Sequence, residues 1–215
     1  MSRPLITYTK EWAQLTAMGH KRTYKPGEII YMQGEKNIGL FCITQGKIKN
    51  FVCFSDGTEK VMAIMEAPAI TGETSVLDNR ETLVSVQALI NTEVIVVPAK
   101  EVRSLMQQNS DFMMLLLEVY AEKIRSLELQ AESVVLNTKQ KLARMLVNFY
   151  SYGIFLYRAD KKMLFTTHDQ LAGFLGTTRP KITSTLSIFE AQGLIRRRRG
   201  VIEILDEVSL KAIFE

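Results

Sequence analysis

The segment that begins at Thr167 constrains the fold of this chain more than any other. Thr167 precedes HDQLAGFLG, in which apolar residues recur at helical spacing and Gly176 marks the stop. TTRPKITSTLSIFEAQGLI follows at once, with Thr178 as a candidate cap and Pro180 in the first turn of a second helix. A threonine cap, an early proline and a final glycine are typical of helix ends. The segment therefore predicts two helices joined by a tight turn, and the apolar stripe of the second helix is Ile182, Leu186 and Phe189.

The second helix of such a unit enters the major groove of DNA with its N-terminal end foremost. Arg179 stands at that end, where a guanidinium can pair with a guanine edge or clamp a phosphate. The alternative for Arg179 is a solvated surface arginine. Polar residues around it would mostly hold phosphates, which position the helix without reading the base sequence. These further candidate DNA contacts are Thr167, Thr177, Thr178, Lys181, Thr183, Ser184 and Ser187.

Four consecutive arginines follow the second helix and stand between two apolar β segments, Leu194-Ile195 and Val201-Ile202. This pattern predicts a β-hairpin with a basic turn. A run of like charges is usually only a solvated face, but beside a recognition helix it is placed to contact phosphates. We therefore predict a winged helix-turn-helix whose wing contacts DNA through Arg196, Arg197, Arg198 and Arg199.

The charge of the chain is unevenly distributed, which agrees with this prediction. Residues 1–138 hold 14 Lys and Arg against 16 Asp and Glu, whereas residues 139–215 hold 13 against 7. The net charge of +4 is thus concentrated in the C-terminal part. Such asymmetry favours a domain that binds a polyanion, although clustering by chance is the alternative.

The chain from Lys21 to Val97 predicts an antiparallel β domain. Short β-branched and aromatic segments are divided by turn residues, and Asp56-Gly57 separates KIKNFVCF from EKVMAIM as in a hairpin. We expect consecutive strands to pair. Roughly eight strands are predicted, enough to close a roll or barrel.

A long helix is predicted from Asp111 to about Leu136, a stretch without Pro or Gly. At about 26 residues it would be roughly 39 Å long, more than one small roll covers. Part of its apolar stripe is therefore expected to meet a second copy in a parallel homodimer; the alternative is a helix that packs only on its own domain. The stripe is Met113, Leu116, Tyr120, Ile124, Leu127, Ala131 and Val134.

The prediction for the whole chain is an α+β protein of three parts. The β-roll spans residues 1–109, the dimerisation helix 110–137 and the winged helix-turn-helix 138–215. Thr138 is the expected cap of a helix that ends near Gly153, and a hairpin is expected around Asp160.

This order of parts resembles the family of catabolite activator protein and the fumarate and nitrate reduction regulator, the CRP/FNR family. The similarity runs through YKPGEIIYMQGE, LFCITQGKIKNFV, DGTEKVMAIM, ITGETSVLDN and THDQLAGFLGTTRPKITSTLSIFEAQGLI. It implies a cyclic-nucleotide-binding-like roll and a homodimer that reads an inverted repeat. It further implies an allosteric transcription regulator, expected to be an activator, with RNA polymerase as a partner.

The resemblance implies an effector in the roll, but the cyclic-nucleotide signature is incomplete. Gly72-Glu73 is present, whereas the Arg-Ser pair that neutralises the cyclic phosphate in the family is replaced by Thr82-Leu83. A buried phosphate without its guanidinium would be unpaired, so cyclic AMP is disfavoured unless Arg80 swings in. For Glu73 the alternative is a structural role. The candidate effector contacts are Gly72, Glu73, Thr74, Arg80, Thr82, Tyr120 and Ser126.

Composition excludes the iron-sulfur oxygen-sensing branch of the family and disfavours the haem-binding branch. Residues 1–41 contain no cysteine for an oxygen-sensing cluster, and no histidine for haem lies between His20 and His168. We expect no metal and no cofactor. A branch that binds small organic effectors such as halogenated phenols is left by elimination, and a regulator without any effector stays open.

The recognition helix also departs from the family. Where its two leading branches have a glutamate and an arginine, this chain has Pro180 and Ser184. The glutamate would accept a hydrogen bond from cytosine. Because this chain lacks it, the TGTGA and TTGA half-sites are not expected.

The competing class is an enzyme, which the residues do not favour. No Ser-His-Asp set, phosphate-cradling Gly-rich loop or pair of carboxylates in helical register can be assembled. No apolar run of membrane-spanning length and no signal core occur, so we expect a cytoplasmic protein without a membrane partner.

Overall fold

The computed structural model describes residues 10–36, 39–132, 135–149, 156–158 and 162–215. The chain divides into two compact units, the first ending at Ala121 and the second beginning at Glu122. The division falls inside one long helix, α4 (Ser110–Glu132). Each unit has its own secondary structure and its own buried apolar residues.

The first unit is a β-roll with helices at both ends. An N-terminal helix α1 (Lys10–Ala17) that the sequence did not predict buries Trp12 and Leu15. Helix α2 (Glu73–Asp78) interrupts the series of roll strands, and helix α3 (Ala99–Gln108) follows the last of them. Its strands are β1 (His20–Tyr24), β2 (Ile29–Tyr31), β3 (Gly39–Gln45), β4 (Lys47–Cys53), β5 (Glu59–Glu66), β6 (Ala69–Thr71), β7 (Ser85–Ala88) and β8 (Thr92–Pro98).

These strands form two four-stranded antiparallel sheets, in the orders β1-β8-β3-β6 and β2-β7-β4-β5. The predicted antiparallel domain is confirmed, and β4 and β5 pair as the hairpin prediction requires. Strands β3 and β4 do not pair, because the chain crosses from one sheet to the other at Gly46 (φ 99°). A Cβ there would lie 2.6 Å from the carbonyl oxygen of Asn91, so only glycine fits this crossing.

Two apolar clusters fill the first unit. One lies between the sheets, where Phe41, Ile43 and Ile48 are buried. The other joins the roll to its helices and includes Phe112, Leu116 and other residues of α4. The placement of Leu116 on the dimer stripe was wrong, since only 3% of it is exposed and it packs into the roll core. Leu117, which is 53% exposed, takes its place on the outer face.

An exposed apolar stripe remains along α4. Met113, Leu117, Ile124 and Leu127 are between 37% and 53% exposed, and they recur at steps of three, four and seven. The predicted stripe member Val134 lies outside the described residues. Of the helices that the structure describes, none is long and apolar enough to span a membrane.

The second unit is a small mixed domain. Its sheet has the order β11-β12-β10-β9, and the pairing of β9 with β10 confirms the predicted hairpin, although Asp160 itself lies outside the described residues. Its elements are α5 (Thr138–Val147), β9 (Leu156–Arg158), β10 (Met163–Phe165), α6 (His168–Leu175), α7 (Arg179–Ala191), β11 (Ile195–Arg198), β12 (Val201–Ile204) and α8 (Glu207–Lys211).

Local capping fixes where the helices of this unit begin. The Thr167 side chain accepts a hydrogen bond from the backbone N–H of Gln170, and the Gln170 side chain accepts one from the backbone N–H of Thr167. This reciprocal pair confirms the predicted cap of α6. The cap of α5 is Asn137, by the same reciprocal arrangement with Gln140, so the prediction of Thr138 was wrong by one residue. Gly153, the expected end of that helix, lies outside the described residues.

Candidate nucleic-acid interface and regulatory site

Helices α6 and α7 form the predicted helix-turn-helix. Gly176 ends α6 in the left-handed conformation (φ 63°), and α7 begins two residues after Thr177. Ile182, Leu186 and Phe189 are each fully buried, so α7 is anchored by one face. Its opposite face is open to solvent and carries the predicted polar contacts.

The structure brings the candidate recognition residues onto one surface. Thr178 stands at the start of α7 but its side chain makes no cap hydrogen bond, and Pro180 occupies the first turn. Thr177 is half-buried. The exposed candidates on and next to these helices are Thr167, Thr178, Arg179, Lys181, Thr183, Ser184 and Ser187.

Arg179 is 67% exposed but is not isolated. Its Nε lies 3.7 Å from an Oδ1 of Asp169, which is on the first turn of α6. Both side chains are largely in solvent, so the pair contributes little to stability.

The wing arginines differ in how far they are already engaged. Arg197 makes two hydrogen bonds to Glu190 of α7, from its backbone N–H at 2.7 Å and its Nε at 2.8 Å. Arg196 pairs with Glu203 across the wing at 3.2 Å. Arg198 and Arg199 are exposed and form no ion pair within the described part of the chain. The phosphate role predicted for four arginines therefore suits Arg198 and Arg199 best.

A cleft of about 320 Å³ opens between the wing and the starts of the two helices. Its lining includes His168, Asp169, Arg179, Arg197, Arg198 and Gly200. His168 Nδ1 lies 2.8 Å from the Oγ1 of Thr183, a contact between α6 and α7. Burial and the nearby Arg197 and Arg179 hold the pKa of His168 below its ordinary value, so the ring is neutral at neutral pH.

The interior of the roll holds a polar cluster in otherwise apolar surroundings. The hydroxyls of Tyr31 and Thr71 are 2.6 Å apart, and Asn50 Nδ2 donates weakly to Thr71 Oγ1 at 3.4 Å. The Oδ1 of Asn50 is buried and has no hydrogen-bond partner among the residues that the structure describes. Glu73, at the start of α2, is only 6% exposed. Buried polar atoms are costly unless they are satisfied, so this cluster marks a functional candidate.

The carboxylate charges of Glu73 and Asp78 act on the tyrosines of this region. Burial raises the pKa of Tyr31 well above its ordinary value, and the carboxylate of Glu73 adds to the rise. For Tyr120 of α4, burial raises the pKa to about 12, with the charges of Glu73 and Asp78 adding to it. Both phenols are therefore protonated and can donate a hydrogen bond at any physiological pH.

The other candidate effector contacts are placed less favourably. The Thr82 hydroxyl donates to the carbonyl oxygen of Met32 at 2.6 Å, which commits it to the roll backbone. Arg80 is exposed, in contrast to the buried Glu73, and its backbone N–H donates to Asp78. Ser126 accepts from Gln130 one turn further along α4. Gly72, Glu73, Thr74 and Tyr120 are thus the candidates that share one region.

Comparison with known proteins agrees with both halves of this description. Residues 21–109 match the cyclic nucleotide-binding domain, and residues 140–213 match the Crp-like helix-turn-helix domain. The chain belongs to the CRP/FNR family of transcription regulators. Its helix-turn-helix is therefore a DNA-binding unit.

Similar members of the CRP/FNR family align with most of the chain. The cyclic AMP receptor protein of Thermus thermophilus is 23% identical over 194 residues, which cover 90% of this chain and 87% of that protein. A mutant of CooA from Carboxydothermus hydrogenoformans has a TM-score of 0.81 at 19% identity, covering 96% and 93% of the two chains. CprK in complex with OCPA has a TM-score of 0.75 at 17% identity, covering 95% and 94%.

Three residues on the candidate DNA-contacting surface of this CRP/FNR regulator were not predicted from the sequence. Asp169 contacts Arg179, His168 contacts Thr183, and Glu190 holds Arg197. Each contact joins residues seven to fifteen positions apart across a turn. The available signal was weak: His168 and Asp169 lie in the first turn of a capped helix that abuts the recognition helix.

Proposed function

We propose that this CRP/FNR regulator works in the cytoplasm as a homodimer that binds an inverted-repeat operator, activates transcription with RNA polymerase and responds to a small molecule in its roll. The observation that supports it most directly is the continuous surface made by the exposed face of α7 and by Arg198 and Arg199 of the wing. This surface places exposed hydrogen-bond donors and positive charge at the N-terminal end of a helix and beside it, as binding to a major groove and its flanking phosphates requires.

The homodimer is supported by the exposed stripe on α4. Apolar residues of this size recur on one side of the helix and are one-third to one-half exposed in the single chain. Regular steps of three and four are the spacing of a two-helix seam. A second copy, packed in parallel, would cover the stripe and carry two recognition helices, which is what an inverted repeat needs.

The operator is expected to differ in base sequence from the TGTGA and TTGA half-sites. Pro180 and Ser184 cannot make the contacts of a glutamate and an arginine, so base reading falls to Arg179 and its neighbours Lys181 and Thr183. Selection of binding sites from a random duplex library tests this. An inverted repeat with half-site centres about 10 base pairs apart, containing guanine opposite Arg179, is the expected result. Recovery of a single unrepeated site would contradict the dimer, and recovery of TGTGA would contradict the specificity.

The effector is proposed to be a neutral organic molecule that donates hydrogen bonds. The polar cluster offers acceptors, the buried Oδ1 of Asn50 and the carboxylate of Glu73. An anionic phosphate would meet Glu73 while Thr82 is committed to Met32 and Arg80 is exposed. The relatives do not fix the effector either, since one is named for cyclic AMP and another was solved with OCPA.

A thermal-shift screen tests the effector. Cyclic AMP and a panel of neutral phenols, amides and nucleosides are added to the full chain, and operator affinity is then measured with each compound that stabilises it. Asn50→Leu is the matched variant, since it keeps the number and branching of the side-chain heavy atoms and removes the acceptor together with the amide donor to Thr71. We expect neutral donors to raise the melting temperature of the wild type and to have less effect on Asn50→Leu.

Two results would replace this proposal. A strong shift with cyclic AMP that is lost in Arg80→Ala would assign a cyclic-nucleotide regulator that uses Arg80. No shift with any compound, together with constant operator affinity, would favour a roll that serves only as a dimer scaffold.

A further inference from the structure

His168 is the first residue of α6 and lines the cleft between the wing and the helix-turn-helix. Its Nδ1 is held by Thr183 of the recognition helix, at 2.8 Å. In the part of the chain that the structure describes, Nε2 makes no hydrogen bond. The imidazole is therefore oriented through one nitrogen while the other is left for a ligand.

The charges that face His168 come from three elements. Arg179 is on α7, Arg197 and Arg198 are on β11, and Asp169 is the next residue of α6. Arg197 is already bonded to Glu190 and Arg179 is near Asp169, whereas Arg198 has no carboxylate partner among the described residues. The cleft is thus positive and lies on the DNA face, beside the wing.

A phosphodiester of the DNA backbone matches this cleft in charge and in hydrogen bonding. It carries one negative charge and two oxygens that accept, and it takes hydrogen bonds from arginine and histidine without regard to base sequence. We propose that the cleft holds one backbone phosphate and that His168 binds it through Nε2, taking up a proton as the phosphate enters. The inference rests on DNA binding by this face.

The proton uptake follows from the change of charge around the ring. In the free protein, burial and the two arginines lower the pKa of His168, while Asp169 opposes them. A phosphate at hydrogen-bond distance of the ring favours its protonated form and therefore raises the pKa of His168. Above the pKa of the free protein and below that of the complex, binding consumes a proton, so affinity falls as the pH rises.

The size of this effect is bounded by the single proton. Within that window, the dissociation constant rises by at most about tenfold per pH unit. Outside it, the slope vanishes, because His168 has the same charge in both states. The arginines do not titrate in this pH range. A pH dependence of affinity that requires His168 therefore distinguishes proton uptake from general electrostatic binding.

Proton NMR measures the uptake directly, because the chain contains two histidines and His20, on strand β1 of the roll, is an internal reference. Both rings are titrated in the free protein and in complex with a mixed-sequence DNA duplex of about 30 base pairs at low salt. A duplex of any sequence serves, because the phosphate contact does not depend on the bases. We expect the pKa of His168 to rise by about one unit or more on DNA binding, as a nearby opposite charge implies, and the resonances of the exposed His20 to be the same with and without DNA.

The dissociation constant for the same duplex, measured between about pH 6 and pH 8, tests the consequence. Affinity is expected to fall across this range for the wild type and for the control His20→Gln. In His168→Gln, which keeps a donor near the Nε2 position but cannot take up a proton, the slope should flatten.

Three results would overturn the inference. An unchanged pKa of His168 in the complex excludes a phosphate at Nε2, whatever the variant does. Equal slopes for the wild type and a folded His168→Gln exclude proton uptake while leaving DNA binding intact. Failure of the wild type to bind the duplex at pH 6 and low salt would instead remove DNA binding by this face, on which the inference rests.

Discussion

The carboxylate of Glu190, on the recognition helix, accepts hydrogen bonds from both the backbone N–H and the guanidinium of Arg197 in the wing. The three distances, from the backbone N, Nε and Nη2 of Arg197 to the carboxylate, are 2.7, 2.8 and 2.7 Å. A carboxylate that receives both ends of one residue fixes the backbone of β11 as well as the side chain. The wing is therefore attached to the helix that it flanks.

Replacing Glu190 by Gln should loosen the wing. The hydrogen bonds from Arg197 lower the pKa of Glu190, so the carboxylate form, and the wing order that it supports, persists at neutral pH and is lost as the pH falls through that lowered pKa. Hydrogen exchange of residues 195–204 should quicken in Glu190→Gln. Glu203→Gln, which removes the single bond to Arg196, is the control and should have a smaller effect; equal protection in Glu190→Gln and wild type would contradict the assignment.

Base reading and phosphate binding should separate by mutation. Arg179→Ala should cost about 1–3 kcal/mol of discrimination at one base position, because a bidentate guanine contact is lost. Arg198→Ala and Arg199→Ala should weaken binding to all sequences alike and each lower the salt slope by about one. Operator and non-operator titrations at several salt concentrations measure both quantities. If Arg179→Ala weakened both duplexes equally, Arg179 would be a phosphate contact.

The exposed stripe of α4 should control the oligomeric state. Leu117→Lys and Ile124→Lys place charges in an apolar seam, so analytical ultracentrifugation should find more monomer, and affinity for a two-half-site operator should fall. Glu118→Lys, at an exposed position next to the stripe, is the control for added charge. An unchanged dimer in both stripe variants would show that another surface joins the two copies.

The neighbouring Leu116 should control stability instead. Leu116→Ala removes a side chain that is 3% exposed and should lower the free energy of unfolding by about 2–5 kcal/mol, because a cavity remains in the roll core. Leu83→Ala, where the side chain is 74% exposed, should change it by about 0.5 kcal/mol or less. Chemical denaturation followed by circular dichroism measures both. If Leu116→Ala lowered the free energy of unfolding only slightly, Leu116 would be assigned to the dimer stripe and not to the roll core.

The features that the sequence predicted are those encoded by near neighbours. Thr167 and Gln170 cap α6 within four residues, Gly176 stops it, and the stripe of α7 repeats at helical spacing. Helical periodicity alone does not show what covers each side of a helix. The sequence therefore predicted Leu116 on the exposed stripe, where the structure has Leu117. The expected pairing of β3 with β4 across Gly46 was wrong for the same reason, since the partners of β3 are β8 and β6, both farther along the chain.

The contacts of the site lie between these extremes. His168 meets Thr183 because α6 packs on α7. Glu190 meets Arg197 because the wing strand β11 packs on α7. No pattern of residue types marks such pairs before the helices are placed. Thr82 and Met32, fifty residues apart, meet only when the roll closes.

The reciprocal caps at the starts of α5 and α6 join residues three positions apart. Closing so short a loop costs little chain entropy, and contacts of this kind form early. Both helix starts can therefore form while the chain is still leaving the ribosome, before the wing has been synthesised. The pairing of β10 with β12, which are separated by the whole helix-turn-helix, must wait until translation of the unit is almost finished.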